Sequence, residues 1–216
     1  MRVSDCDFAR LRRAQILTGV VPLGLFLISH LAVNSRALAG PAAYQRAVEA
    51  IAHVPMLGAI ELLLIALPIA THIALAAWLA TARQLTTEPA WPSEAWRVMQ
   101  RVTGFYLSIY VVFHVWAIRL SPERLAAKKP LFELMSAQLA HPVVWILQAL
   151  AVITAAAHFA GGLVALTGPA GFSFAPRAQR VVRRAAIAGG ALLALLGLAS
   201  LAAFVWPAAR WLPPAP

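Results

Sequence analysis

The chain has 216 residues, of which 61% are apolar and only 12% are charged, and its formal net charge is +10. A soluble domain carries about 25% charged residues, so this composition excludes an ordinary soluble enzyme and indicates a membrane protein. The positive charge is not the footprint of a nucleic-acid-binding surface, because the arginines lie at the ends of apolar runs. In that position basic residues mark topology and meet anionic lipid headgroups.

Five apolar runs follow one another along the chain, each close to the ~17 to 25 residues that a spanning helix needs. None shows the alternation of a barrel strand, and backbone groups must be paired inside lipid, so we predict an all-α bundle of five transmembrane helices. The predicted spans, within one domain covering 1–216, are 16–33, 56–80, 102–118, 142–166 and 185–206. We expect the first span to be retained, because a mixed-charge segment precedes it and no convincing cleavage site follows. The fifth offers no charge and no ligand, which is typical of a scaffold.

The basic residues predict the orientation. Placing the N-terminus in the cytoplasm puts most of them on the cytoplasmic side, as the positive-inside rule requires. The expected inner set is Arg2, Arg10, Arg12, Arg13, Arg83, Arg97, Arg101, Arg177, Arg180, Arg183 and Arg184, and the expected outer set is Arg36, Arg46, Arg119, Arg124, Lys128, Lys129 and Arg210. Trp206 and Trp211 fit interfacial anchors.

Four histidines lie inside the predicted spans. Since a helix rises ~1.5 Å per residue, the depth of each ring can be calculated from the centre of its span. In this orientation His30 lies about 8 Å, and His114 about 6 Å, to the outer side of the centre. His72 and His158 each lie about 6 Å to the cytoplasmic side. Two levels result, with two rings on each, and reversing the topology would leave the pairs unchanged.

The matched depths point to haem. A hydrogen bond to a neighbouring helix explains any single buried histidine, but four rings at two levels are better explained by a shared ligand. A neutral imidazole nitrogen is a good axial ligand for haem iron, and two such ligands leave no site for oxygen, which favours electron transfer. We therefore predict two b-type haems. Cys6 is the lone cysteine and no C-x-x-C-H motif is present, so thioether attachment is excluded.

Small residues surround the last of these histidines. Gly161 and Gly162 lie at i+3 and i+4 from His158, on the same helix face. They either leave room for a flat macrocycle or allow two membrane helices to pack closely, and the sequence favours neither interpretation.

Four blocks of sequence carry a family resemblance: RRAQILTGVVPLGLFLISHLAVN, LPIATHIALAAW, QRVTGFYLSIYVVFHVWAIR, and HFAGGL followed by APRAQR. Together they resemble the five-helix, dihaem cytochrome b subunit of succinate:menaquinone oxidoreductases, the membrane anchor of bacterial succinate dehydrogenase or fumarate reductase. The resemblance implies that the two haems are bound by His72 with His158 on the inner side and by His30 with His114 on the outer side.

The resemblance also implies partners and a direction of electron flow. A flavoprotein subunit would oxidise succinate, and an iron-sulfur subunit would dock on the cytoplasmic face of the bacterial inner membrane. Electrons would enter the inner haem, cross to the outer haem and reduce menaquinone. Charge movement across the membrane would couple the reaction to the membrane potential, at about 2.3 kcal/mol per charge and 100 mV.

Polar residues after the first span are the candidates for the quinone site. Related enzymes use an acidic residue in this region, and Glu49 in AAYQRAVEAIAH is the nearest candidate here. Gln45 is an alternative and Glu61 a third possibility, while a solvated acid on a helix face is the competing interpretation of Glu49. His53 and His141 lie at span edges on the outer side, where solvated loop histidines are the rule and a role in quinone or proton chemistry is the alternative.

Arginines near the predicted haem levels are candidate partners of the haem propionates, because buried carboxylates need charge-assisted hydrogen bonds. A role as topology marker is the alternative for each. The candidates are Arg12, Arg13, Arg101, Arg177 and Arg180 on the inner side and Arg36 and Arg119 on the outer side.

Two other functions compete with the dihaem succinate dehydrogenase anchor. The first is a dihaem cytochrome b subunit of another quinone-linked dehydrogenase, such as a formate dehydrogenase or a hydrogenase. The second is a haem-free membrane anchor or transporter.

Overall fold

The fold is helical throughout the part of the chain that the structure describes. A computed structural model describes residues 5–82, 94–120, 122, 130–168, 172 and 174–206, and no strand occurs among them. The prediction of an all-α protein is therefore confirmed. Arg2, Arg83, Arg124, Lys128, Lys129, Arg210 and Trp211, to which we assigned topological or interfacial roles, lie outside the described residues.

Within these ranges, five helices are long and apolar enough to cross a membrane, as predicted. The first, third and fifth are longer than the predicted apolar runs, because helices continue past the hydrocarbon boundary with polar residues that water or headgroups solvate, whereas the second and fourth have the predicted length. Their bounds are Cys6–Ala39, Leu57–Thr81, Glu94–Leu120, Pro142–Leu166 and Pro176–Val205.

Prolines interrupt the regular α-helical hydrogen bonding of the first two membrane helices. The first consists of α1 (Asp5–Val20) and α2 (Pro22–Asn34), followed by a 3-10 turn over Ser35–Ala39. The second consists of α4 (Leu57–Glu61), a π-helical turn over Leu62–Ala66, and α5 (Leu67–Ala82). Pro68 has no N–H for the carbonyl four residues earlier, which accounts for the altered hydrogen bonding in that turn.

Between these two, α3 (Pro41–Ala52) is a shorter amphipathic helix. It starts after Gly40, whose φ of 93° needs a residue without a side chain, and Pro41 occupies the first helical position. The third membrane helix is α6 (Glu94–Val115), which ends in a π-helical turn over Trp116–Leu120. After it come α7 (Leu131–Leu139), α8 (Pro142–Leu166) and α9 (Pro176–Val205).

The chain divides into two compact units, each with its own small core. Unit 1 takes its described residues from Met1–Leu27, Gly58–Gly104 and Ala157–Ala191, and here α1 packs along α5. Unit 2 takes them from Ile28–Leu57, Phe105–Ala156 and Leu192–Pro216. In unit 2 the ring of Tyr44 on α3 meets Phe132 of α7 and Phe204 of α9 at 5.9 and 5.0 Å between centroids. The expectation of a single domain stays a prediction.

Candidate functional site: two histidine pairs

His72 and His158 face each other in unit 1. His72 comes from the middle of α5 and His158 from the second half of α8, and both rings are half-buried. Their centroids are 6.1 Å apart and their planes are almost perpendicular, at 85°. Two imidazoles from different membrane helices are therefore brought to one place.

The hydrogen bonds of His72 fix its tautomer. Its Nδ1 lies 2.8 Å from the backbone carbonyl oxygen of Gln15 on α1 and 3.4 Å from the hydroxyl of Thr18. A carbonyl oxygen only accepts, so Nδ1 must carry the proton and donate it. The lone pair of the neutral ring then lies on Nε2, the nitrogen left for a metal.

His158 is held in the same tautomer by a side chain of α6. The hydroxyl of Thr103 donates to the carbonyl of Met99 at 2.7 Å, so its oxygen accepts from Nδ1 of His158 at 2.9 Å. The side-chain amide of Gln100 donates to the backbone carbonyl of His158 at 3.1 Å. Ring and backbone of His158 are thus both bound to one turn of α6.

Two glycines make room for these rings. A Cβ atom added to Gly19 would lie 2.5 Å from Cε1 and 2.9 Å from Nδ1 of His72. A Cβ atom added to Gly104 would lie 3.0 Å from Cε1 of His158. Each histidine therefore lies close to the backbone of the neighbouring helix, with less room for an added side chain at Gly19 than at Gly104.

His30 and His114 form the second pair, in unit 2. Their centroids are 5.9 Å apart and their planes meet at 85°. Tyr110, one turn before His114 on α6, stacks on that ring at 5.4 Å, and its hydroxyl lies 3.1 Å from Nδ1 of His114. The side-chain amide of Asn34 donates to the backbone carbonyl of His30 at 2.8 Å.

The separation of the rings fits an ion between them. A metal–nitrogen bond of about 2 Å on each side, plus about 1 Å from each nitrogen to its ring centre, separates two centroids by about 6 Å. A direct N–H···N hydrogen bond between the rings would bring the centroids to about 5 Å. The 5.9 and 6.1 Å found here match the first arrangement.

The number of ligands at each pair is compatible with haem. Among the described residues, no group of three or more His, Cys, Asp and Glu comes together to hold a free metal ion. Each pair supplies two nitrogens, which suffices for iron whose other ligands come from a porphyrin. The role of the four histidines as haem ligands stays a prediction.

The glycines that we connected with His158 contact other side chains. A Cβ atom on Gly161 would overlap the side-chain amide of Gln100, and one on Gly162 would lie 3.1 Å from a methyl group of Val20. These contacts favour close helix packing over space for a macrocycle. The predicted place of both residues beside a cofactor is untested.

Most of the candidate propionate arginines lie at the surface, whereas Arg12 is half-buried. Arg13, Arg101, Arg119 and Arg177 are all exposed, and the guanidinium of Arg13 lies 6.0 Å from the ring centroid of Phe172. Arg101 is on the same helix as Thr103, and Arg119 is in the π-helical turn that follows His114. Their role as propionate partners stays a prediction.

The two alternatives for the quinone site form one hydrogen-bonded pair. The amide of Gln45 donates to the carboxylate of Glu49 at 3.0 Å, one turn apart on α3. Glu49 is exposed, whereas the amide oxygen of Gln45 is buried and has no hydrogen-bond partner among the described residues. Glu61, the third possibility, is half-buried at the end of α4. His53 is exposed and its Nδ1 lies 2.7 Å from the backbone carbonyl of Glu49.

Sequence reasoning missed the residues around the rings. Gln15, Thr18 and Gly19 surround His72, and Gln100, Thr103 and Gly104 surround His158. A signal for them is present in the sequence, because both sets have the spacing Gln-x-x-Thr-Gly.

Comparison with curated proteins finds the succinate dehydrogenase cytochrome b558 subunit of Bacillus subtilis (strain 168). That protein is 31% identical to this chain over 195 residues, which cover 90% of this chain and 96% of the relative. No protein-family model matches the chain, and no solved structure matches it.

Proposed function

The chain belongs to the family of succinate dehydrogenase cytochrome b558 subunits, and from this premise we propose that it binds two haems b and passes electrons to a membrane quinone. It is a multi-pass membrane protein and the membrane-anchor cytochrome b of a succinate dehydrogenase. Haem b is the cofactor that follows from membership in this family. The number of haems, the ligands, the quinone and the partner subunits belong to the proposal.

One observation carries the proposal. Two histidine pairs have centroid separations of 5.9 and 6.1 Å, the spacing of two imidazoles on opposite sides of one iron. In the His72–His158 pair both Nδ1 atoms donate to oxygen, so both Nε2 atoms are available as ligands. Bound haem would supply a one-electron carrier, and the two histidines of each pair would hold its iron and leave no ligand site for oxygen.

The oxidation of succinate itself would take place on a partner. We propose a flavoprotein subunit for that reaction and an iron-sulfur subunit that delivers the electrons to this chain. Exposed arginines at the start of α9, Arg177, Arg180, Arg183 and Arg184, support an N-terminus and a docking face on the cytoplasmic side. The membrane would be the bacterial inner membrane.

For quinone reduction we propose a site at the Glu49–Gln45 pair. A quinone that receives electrons must also take up protons, and an exposed carboxyl group can take each proton from water and pass it on. The buried amide oxygen of Gln45 can accept a hydrogen bond from a quinol hydroxyl. Menaquinone is the substrate that the family resemblance implies.

The test is the purified membrane complex. We expect a flavoprotein and an iron-sulfur protein to copurify, two haems per flavin, and haem reduction on addition of succinate. His114→Ala should remove one haem, whereas His141→Ala, which changes an exposed histidine outside both pairs, should remove none. A colourless complex would indicate a haem-free anchor, and haem reduction by formate or hydrogen instead of succinate would indicate another dehydrogenase.

A further inference from the structure

A five-residue pattern occurs twice in the chain. Residues 15–19 read QILTG and residues 100–104 read QRVTG, so Gln, Thr and Gly recur at the same spacing. Both copies lie on helices of unit 1, the first on α1 and the second on α6. The threonine of each copy contacts a histidine far ahead in the chain, 54 residues away for Thr18 and 55 for Thr103.

The threonine and the glycine are placed alike around the histidine in both copies. The threonine hydroxyl bonds back to its own helix, from Thr18 to Ala14 at 3.0 Å and from Thr103 to Met99 at 2.7 Å. Its proton is then occupied, and the oxygen faces Nδ1 of the histidine as an acceptor. The glycine that follows lacks the Cβ atom that would crowd the same ring, at 2.5 Å for Gly19 and 3.0 Å for Gly104.

We propose that 15–19 and 100–104 are equivalent cradles, which hold His72 and His158 with Nδ1 protonated and Nε2 directed at a shared haem iron. The inference rests on the proposed haem ligation by these two histidines. Thr18, Gly19, Thr103 and Gly104 are then positioning residues, each acting through a histidine of the adjacent helix. An acceptor at Nδ1 fixes the tautomer and orientation of an axial imidazole and raises its basicity.

The cradles differ in the atom that accepts the Nδ1 proton. In cradle 15–19 the nearer acceptor is the backbone carbonyl of Gln15, at 2.8 Å against 3.4 Å for the Thr18 hydroxyl. In cradle 100–104 the acceptor is the Thr103 hydroxyl, at 2.9 Å. A mutation that removes the threonine hydroxyl therefore deletes the main acceptor in the second cradle and only the weaker one in the first.

This difference supplies a matched pair of variants. Thr103→Val keeps the shape of the side chain but removes the acceptor, so His158 becomes a weaker donor to iron and the reduced haem is favoured. We expect the midpoint potential of one haem to rise by ~59 mV, the equivalent of a tenfold change in a one-electron equilibrium. Thr103→Ser should restore the potential. Thr18→Val should shift it by clearly less, because the Gln15 carbonyl remains.

The measurement is an optical redox titration of the purified complex, with haem per flavin determined on the same samples. Unchanged potentials in Thr103→Val, no recovery in Thr103→Ser, or an equal shift in Thr18→Val would each overturn the proposal. If Thr103→Val does not assemble, Thr103→Ala replaces it with a smaller side chain and the same loss of acceptor.

His158→Ala separates this inference from the proposed ligation. If that variant keeps both haems, the histidine is not a ligand and the proposed function fails at this site. If it loses one haem while Thr103→Val leaves both potentials unchanged, the ligation stands and the cradle fails.

Discussion

The substitution Gly19→Ala adds a single methyl group and should disturb only the His72–His158 pair. The new Cβ atom would lie 2.5 Å from Cε1 of His72, and ordinary contact begins at 3.4 Å, so that atom must retreat by about 0.9 Å. The ring has little freedom to do so, because its Nδ1 is hydrogen-bonded at 2.8 Å to the Gln15 carbonyl.

The displacement is large on the scale of a metal bond. Ligand distances in metal sites hold to within about 0.2 Å, and the retreat of the ring is several times greater. Overpacking a well-packed site costs about 1 to 3 kcal/mol, and losing the hydrogen bond adds about 0.5 to 1.5 kcal/mol. We expect Gly19→Ala to lose the haem of the His72–His158 pair and to keep the other, halving the haem content.

The assay is haem per flavin in the purified complex, with reduced-minus-oxidised spectra to show which absorbance disappears. Gly104→Ala should have a smaller effect, because its Cβ atom would lie 3.0 Å from His158 and the ring needs to give way by only a few tenths of an ångström. Gly189→Ala is the control, since nothing lies within 4 Å of the added atom. Two haems with unaltered potentials in Gly19→Ala would refute the reasoning.

Three further outcomes are expected. Tyr110→Phe keeps the ring stacked on His114 but removes the hydroxyl 3.1 Å from Nδ1, so redox titration should show a shifted potential for one haem. Tyr106→Phe is the control and should leave both potentials unchanged, because the Tyr106 hydroxyl bonds to a backbone carbonyl instead. Glu49→Gln should lower succinate-dependent quinone reduction at least tenfold while reduction of a soluble dye is retained. Gly161→Ala should lower the thermal unfolding temperature, by overpacking worth about 1 to 3 kcal/mol, with both haems retained.

The membrane helices and the pairing of the histidines could be predicted from apolar composition and length. A spanning helix has a fixed rise per residue, so counting from the span centre places His30 and His114 at one level and His72 and His158 at another. The structure brings the same pairs together, at 5.9 and 6.1 Å. Depth therefore sufficed to choose partners among four rings.

Rotation about the helix axis could not be predicted in this way. Gly161 and Gly162 are close to His158 in sequence, yet they face Gln100 and Val20, whereas Gly104 on another helix faces the ring. A small residue in a membrane helix looks the same whether it adjoins a cofactor or another helix. Contacts across helices decide between these roles, and a single hydropathy pattern does not contain them.

The contact between Gln45 and Glu49 on α3 was also not predicted, although the two residues lie close together in the sequence. Gln45 and Glu49 look like competing candidates in the sequence, but their spacing of four residues puts them on one helix face, where the amide donates to the carboxylate. The spacing of four residues therefore predicts that Gln45 and Glu49 are in contact, although each was considered as a separate candidate. The repeated Gln-x-x-Thr-Gly extends this reasoning between helices, because two copies facing two histidines indicate which side of α1 and of α6 lies against a ring. The length of a helix does not determine its rotation about its own axis, but the repeated pattern in the sequence indicates that rotation for α1 and α6.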